Sequence, residues 1–272
     1  MKIEVAVVPA AGRGTRMRPA TRVVPKALIP VVDRPTVQYA VEEAARAGAR
    51  EVIVVVDPDV GELVRRHFDE EGGLPGLEGV EVRPVVQQIA RGLGDAVLVA
   101  REAVAGRPFF CLLVDNIVLP GRDVLASTAA ASDGRSVVCL RSLGPEMLER
   151  YGVVIPGPWR DARVLEVRGA VEKPGREAAP SNLGLVGRYL FTPEVFEALE
   201  GLPPGHGGEV QLTDAIRALA EGGRCLGLVI EDDLLDVGTP LGLMEATAFL
   251  GADHPEWAKE YREFLTSFVE SL

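Results

Sequence analysis

The stretch Val5-Ala6-Val7-Val8-Pro9-Ala10-Ala11-Gly12-Arg13-Gly14-Thr15-Arg16-Met17-Arg18-Pro19 joins a short apolar run to a loop of glycine, arginine and proline. An apolar run of this length, stopped by turn residues, reads as a buried strand over 4–9. Two glycines just past its carboxyl end let backbone N–H groups approach an anion closely. The loop is neither of the two common phosphate motifs. A dinucleotide fingerprint needs a third glycine where Met17 stands, and a P-loop needs Gly-Lys-Ser/Thr after four spacers.

Working outward, the periodicity predicts a helix over 35–47 with Asp33 as its cap, Pro35 in its first turn and Gly48 at its end. A strand over 51–56, a helix over 59–69, a strand over 80–86, a helix over 94–104 and a strand over 109–114 follow. Strands alternating with helices of this length form right-handed βαβ units. The expected class is therefore α/β, a doubly wound, mostly parallel Rossmann-like sheet, mixed overall and flanked by helices, with ligands at the carboxyl ends of its strands. Beyond residue 136 the strands shorten, over 136–141, 151–155, 163–168 and 182–191, and read as a small additional mixed or antiparallel region. Helices over 193–199, 209–221 and 240–250 surround a strand over 225–231. A helical extension over 253–272 then follows a catalytic domain over 1–252.

The 272 residues carry a net charge of −11, which repels nucleic acid and anionic lipid at long range. No apolar run approaches the roughly 20 residues of a membrane span. With no leader-like start, the expected compartment is the cytoplasm. Cys111, Cys139 and Cys225 form no C-x-x-C pair and read as reduced core residues. His67, His206 and His254 lack metal-ligand spacing, and His67 reads as a surface residue on an amphipathic helix.

Against that acidic background, residues 1–34 hold Lys2, Arg13, Arg16, Arg18, Arg22, Lys26 and Arg34 opposed only by Glu4 and Asp33. Such a local cationic cradle attracts a small polyanion. Only four lysines occur, Lys2, Lys26, Lys173 and Lys259. Lys26 and Lys173, away from the termini, are candidates for contacts where a compact ammonium meets a phosphoryl oxygen. Asp115, directly after a buried strand, and Asp236, just before a helix that Thr239 can cap, are placed to meet above the sheet. Gln87 ends a strand shortly before Gly92. Its amide offers the paired donor and acceptor that suit a nucleobase edge, whereas Gln88 faces away by alternation.

At these residues the chain resembles the sugar-1-phosphate nucleotidylyltransferases, whose signature G-x-G-T-R-x-x-P followed by P-K stands here at Gly12–Pro19 and Pro25-Lys26. Residues 5–41 look most like the bacterial UTP–glucose-1-phosphate uridylyltransferases. So do Gln87 with Gly92-Leu93-Gly94, Tyr151-Gly152-Val153-Val154, Val171-Glu172-Lys173-Pro174, 180–189 and 209–216. Ala27 after Lys26 departs from the uridylyl pattern. Leu113-Val114-Asp115-Asn116-Ile117 is similar to the thymidylyl form and Asp236-Val237-Gly238-Thr239-Pro240 to thymidylyl and guanylyl relatives, so dTTP stands beside UTP as an implied substrate.

The resemblance implies Mg²⁺-dependent attack of glucose 1-phosphate on the α-phosphorus of the triphosphate. It implies Arg16, Lys26, Asp115 and Lys173 as catalytic, and Ala11, Gly12, Gly14, Thr15, Arg16, Lys26, Gln87, Gly92 and Asp115 as nucleotide-binding. Gly152, Glu172, Lys173 and Val186 would hold the sugar phosphate, and Asp115 and Asp236 the metal. A homodimer or homotetramer is implied as well, and the aromatic residues Trp257, Tyr261, Phe264 and Phe268 at helical spacing could serve it or pack on the chain itself. A nucleotide-sugar-sensing subunit without turnover and, more remotely, an NAD-dependent dehydrogenase are the alternatives.

Overall fold

The computed structural model describes residues 1–69, 73–231 and 234–272. Its strands are β1 Val5–Pro9, β2 Pro30–Val31, β3 Arg34–Pro35, β4 Glu51–Val56, β5 Glu81–Val86, β6 Phe109–Leu112, β7 Asn116–Val118, β8 Ser136–Ser142, β9 Val153–Trp159, β10 Val164–Val171, β11 Leu183–Phe191, β12 Cys225–Val229 and β13 Leu234–Asp236. Nine of them form one sheet in the order β5-β4-β1-β6-β11-β8-β12-β10-β9. The β5-β4-β1-β6 half is parallel throughout. From β11 onward antiparallel pairs dominate, with β12 parallel to β8. The expected additional β region is thus mostly an extension of the same sheet.

Alternation along β1 explains how one strand serves two cores. Val5 and Val7 point to one face, with Ile53, Val55, Val97 and the helix Leu212–Glu221. Ala6 and Val8 point to the other, with Val52, Val54 and the helix Thr36–Arg46. Burial on both faces is why these strands are continuously apolar. Fully burying each such side chain contributes roughly 1.5–3 kcal/mol of transfer free energy. The three cysteines are free and buried within these layers. Among the described residues no helix is long and apolar enough to cross a membrane.

Several boundaries differ from expectation, each for a local reason. Asp33 does not cap the first helix, and Pro35 is its N-cap residue instead. Residues 30–35 form the β2–β3 hairpin, turned through Val32 at φ 59°, so Asp33 sits in the turn and pairs with Arg34 and His254. The helix expected from 209 begins at Leu212, because the Val210 amide donates to the Arg91 carbonyl and holds the chain extended against Gly92. The expected helix over 94–104 divides into Leu93–Val99 and Arg101–Val104. His67 is half-buried, its Nε2 3.0 Å from Gln38 Oε1. Thr239 does cap the helix Pro240–Ala252, its hydroxyl accepting from the Gly242 amide at 3.2 Å.

Candidate active site

The cavity above the parallel half of the sheet, about 600 Å³, is lined by Ala11, Gly12, Arg13, Gly14, Thr15, Lys26, Gln87, Gly92 and Asp115. The two loop glycines do different jobs. Gly14 has φ 56°, and a Cβ there would stand 2.8 Å from Thr21 Cγ2 and 3.0 Å from Lys26 Cβ. Thr21 in turn donates to the Gly14 carbonyl at 2.7 Å, so the turn that needs glycine also sets Lys26. At Gly12 a Cβ meets nothing within 4 Å. The protein's own packing does not demand glycine there, and the bare backbone leaves the cavity open to a ligand.

Asp115 lies at the front of this cavity. Lys26 Nζ donates to its Oδ2 at 2.5 Å, and Arg16 Nη2 reaches the same oxygen at 3.4 Å. Burial works to raise its pKa, but the Lys26 ammonium, then Arg16, outweigh it and hold the carboxyl below its usual range. The short β7–β13 pair brings in the second carboxylate, aligning Asp236 with Asn116, while the Val237 amide donates to the Asp115 carbonyl at 2.8 Å. Neither strand was foreseen, because three-residue strands fall below the reach of period-2 patterning.

The two carboxylates and Arg16 converge on the face of Gly238. A Cβ at that position would lie 2.7 Å from Arg16 Nη2, 2.9 Å from Asp236 Oδ1 and 3.1 Å from Asp115 Oδ2. Two hard oxygen donors around a cradle that any side chain would fill suit Mg²⁺, which takes one or two protein carboxylates and completes its shell with phosphate oxygens and water. Among the described residues no cluster of three or more His, Cys, Asp or Glu offers a closed all-protein metal cage.

The remaining expected residues form a neighbouring group. Glu172 receives the Thr213 hydroxyl on Oε2 at 2.6 Å and pairs through Oε1 with Lys173 at 2.8 Å. Lys173 bends the chain with φ 45° and is exposed. Gly152 closes this group, since a Cβ there would sit 2.8 Å from Thr213 Oγ1 and 3.2 Å from Glu172 Oε2. Val186 lines a second cavity of about 290 Å³ with Tyr151, Asn116, Arg141 and Asp236. Tyr151 donates to Asp236 Oδ2 at 3.3 Å, and burial, then the Asp236 charge, push its phenol up. Asp236 therefore stands between the two groups. Lys173 makes its ion pair with Glu172, not with any charge of the first cavity.

Other residues were missed. Arg188, 1% exposed, lies behind the Asp115 loop. It grips Glu43 through Nε and Nη2 at 2.7–3.0 Å, and donates to the backbone carbonyls of Leu113 at 3.1 Å, Asn116 at 2.6 Å and Gly187 at 3.0 Å. Sequence offered one signal, a lone arginine inside the apolar run that becomes β11. Gln87 is buried, and Gln88 is exposed, consistent with its facing away. The Gln87 amide nitrogen is held by Asp95, a carboxylate that sequence reading passed over. Gly207, Gly208 and Glu209 also border the first cavity.

A site of this kind, four charged groups converging beside a glycine-lined cavity, can hold a phosphate-rich ligand and a divalent cation together. Comparison with known proteins agrees. The family model described as nucleotidyl transferase matches residues 5–253. A UTP–glucose-1-phosphate uridylyltransferase of Bacillus subtilis is 37% identical over the whole of this chain and 97% of its own length. A second uridylyltransferase, from Staphylococcus saprophyticus, is 36% identical over 97% of each chain. A solved UDP-glucose pyrophosphorylase in complex with UDP-glucose superposes with a TM-score of 0.82 at 33% identity, covering 90% of this chain and 97% of its own. Another, from Acinetobacter baumannii, gives 0.83 at 29% identity over 98% of this chain and all of its own. Matched over nearly its full length by the family model and by named members, the chain belongs to the nucleotidyl transferase family.

Proposed function

We propose that the chain transfers the uridylyl group of UTP to glucose 1-phosphate and releases pyrophosphate. The observation that carries this reading is the convergence of Arg16, Lys26, Asp115 and Asp236 at the mouth of a glycine-lined cavity. The names of the full-length relatives supply the base and the sugar.

The sugar phosphate is already an anionic nucleophile, so no covalent intermediate and no general base are needed. One phosphate oxygen of glucose 1-phosphate bonds to the α-phosphorus of UTP as the bond to pyrophosphate breaks. The protein's task is to align two polyanions and offset their repulsion. Ala11, Gly12, Gly14 and Thr15 bring backbone to the triphosphate, Arg16 and Lys26 donate to its oxygens, and Gln87 with Gly92 meets the base. Gly152, Glu172 and Val186 hold the sugar, with Lys173 on its phosphate. Asp115 and Asp236 would hold Mg²⁺, which when bound neutralises charge on the phosphates.

The test is pyrophosphate release with glucose 1-phosphate and Mg²⁺ and, separately, UTP, dTTP, CTP, GTP and ATP. A strong preference for UTP is expected. Faster turnover of dTTP would assign the thymidylyl reaction that Asp115-Asn116 suggests, and release with none would favour a binding subunit. The exposed Trp257, Phe264 and Phe268 support a homo-oligomer, to be checked by sedimentation across concentration.

A further inference from the structure

Gln87 is 3% exposed and stands between the first cavity and a carboxylate buried behind it. That carboxylate is Asp95, 2% exposed, in the first turn of the helix Leu93–Val99. Arg91 donates to Asp95 Oδ1 twice, from Nε at 3.0 Å and from Nη2 at 2.6 Å. The other oxygen, Oδ2, receives Gln87 Nε2 at 2.6 Å, and the same nitrogen reaches the Gly92 carbonyl at 3.3 Å. An ionised carboxylate and a backbone carbonyl are acceptors only. Turning the Gln87 amide over would set its oxygen against both of them. The amide is thus fixed with its nitrogen inward, and Gln87 Oε1, which has no partner among the described residues, is the atom left for the cavity.

We propose that Asp95 is a positioning residue that sets base choice by dictating which end of the Gln87 amide meets the nucleobase. The inference rests on the reading that Gln87 meets the base. An amide oxygen facing the ligand accepts from the N3–H of uracil. The N3 of cytosine is itself an acceptor, so the same oxygen repels it, and a buried unmatched polar contact costs more than a matched one gains. Base choice on this account is made by a carboxylate that never touches the nucleotide.

Asp95→Asn tests it, because the substitution keeps the shape and changes the hydrogen-bond code. Arg91 donates only, so it takes the Asn oxygen and turns the Asn amide nitrogen toward Gln87. That nitrogen draws Gln87 Oε1 inward and presents Nε2 to the base. The expected result is a fall of about tenfold or more in the ratio of kcat/KM for UTP over CTP. The fall should lie in the KM for the triphosphate, with the KM for glucose 1-phosphate unchanged. Adding Arg91→Met frees the Asn amide to present its oxygen again and should restore part of the UTP preference, which a purely structural role for Asp95 would not do.

Gln87→Ala separates the possible failures. If Gln87→Ala collapses the UTP-to-CTP ratio while Asp95→Asn leaves it within about twofold of wild type, Gln87 reads the base and the positioning role falls. If neither variant moves the ratio, the base-reading assignment falls and takes the proposal with it. Should Asp95→Asn not fold, labelled wild-type protein with UTP decides. A coupling across the hydrogen bond from uracil N3 to the Gln87 side-chain carbonyl carbon supports the proposal, and close contact of N3–H with the Gln87 amide protons overturns it.

Discussion

Asp115 is met by two cations in front, while a third cation, Arg188, anchors the backbone behind it, and the two sides are built to different rules. In front, Arg16 and Lys26 approach it from two short helical turns beside an open cavity, with the Arg16 side chain about half exposed. Behind, Arg188 is sealed from water and spends its donors on Glu43 and on the carbonyls of Leu113, Asn116 and Gly187. Exposed ion pairs contribute little to stability, whereas breaking a buried pair strands a charge. The difference teaches a division of labour: the rear cation fixes where Asp115 stands, and the front cations stay free to trade it for a ligand.

The strongest way to break that division is to exchange the rear cation. Arg188→Met leaves Glu43 buried and unpaired and frees three carbonyls around the Asp115 loop. We expect a loss of about 3–5 kcal/mol in chemical denaturation. Adding Glu43→Leu should recover much of the stability and little of the activity, since the loop stays untethered. If the double variant regained full turnover, Arg188 would be a packing residue with no bearing on Asp115.

The front cations should behave in the opposite way. Arg16→Ala is expected to lower kcat by about 10²–10³, the scale of one lost donor to developing charge. Its melting temperature should stay close to wild type, because a pair of this exposure contributes at most about 1 kcal/mol. A variant turning over within a few-fold of wild type would remove Arg16 from the chemistry.

Between front and rear, Gly238 sharpens the boundary. A Cβ there falls 2.7 Å from the flexible end of Arg16 and 3.1 Å or less from an oxygen of each of the two carboxylates. Gly238→Ala should therefore push Arg16 aside at small cost in stability and lower kcat/KM by about tenfold. Isothermal titration with Mg²⁺ and UTP would show whether the loss lies in binding.

How much of this was legible in the sequence follows from the range of each interaction. The βαβ half is written locally, in runs such as Val52–Val56 that sterics and burial force into buried strands, and the glycine-rich loop betrays itself by composition. The Asp33 cap misled because a two-residue hairpin, stabilised by contacts with His254 far along the chain, captured the residue first. Asp115 and Asp236 could be guessed to meet, yet the β7–β13 pairing that joins them spans more than a hundred residues. The Arg188–Glu43 clamp and the Asp95–Gln87 contact have no local signature. Each becomes meaningful only once burial removes water as the competing partner.

The smallest effect tests the front side by pH. Burial alone would raise the Asp115 pKa, and Lys26 followed by Arg16 reverse this, so the folded value lies below the unfolded one near 4. A group depressed on folding contributes stability that is fully present above the unfolded pKa and is lost as pH falls through the folded one. The stability difference between wild type and Asp115→Asn should then be constant from pH 8 to about pH 5. Below about pH 4 it should shrink toward zero as Asp115 protonates. The Arg188→Met deficit need not follow that curve, because its charges are sealed from solvent. If instead the Asp115→Asn difference persisted undiminished at about pH 3, the carboxylate would be held by its position in the loop more than by its charge, and the front of the site would obey the rule of the rear.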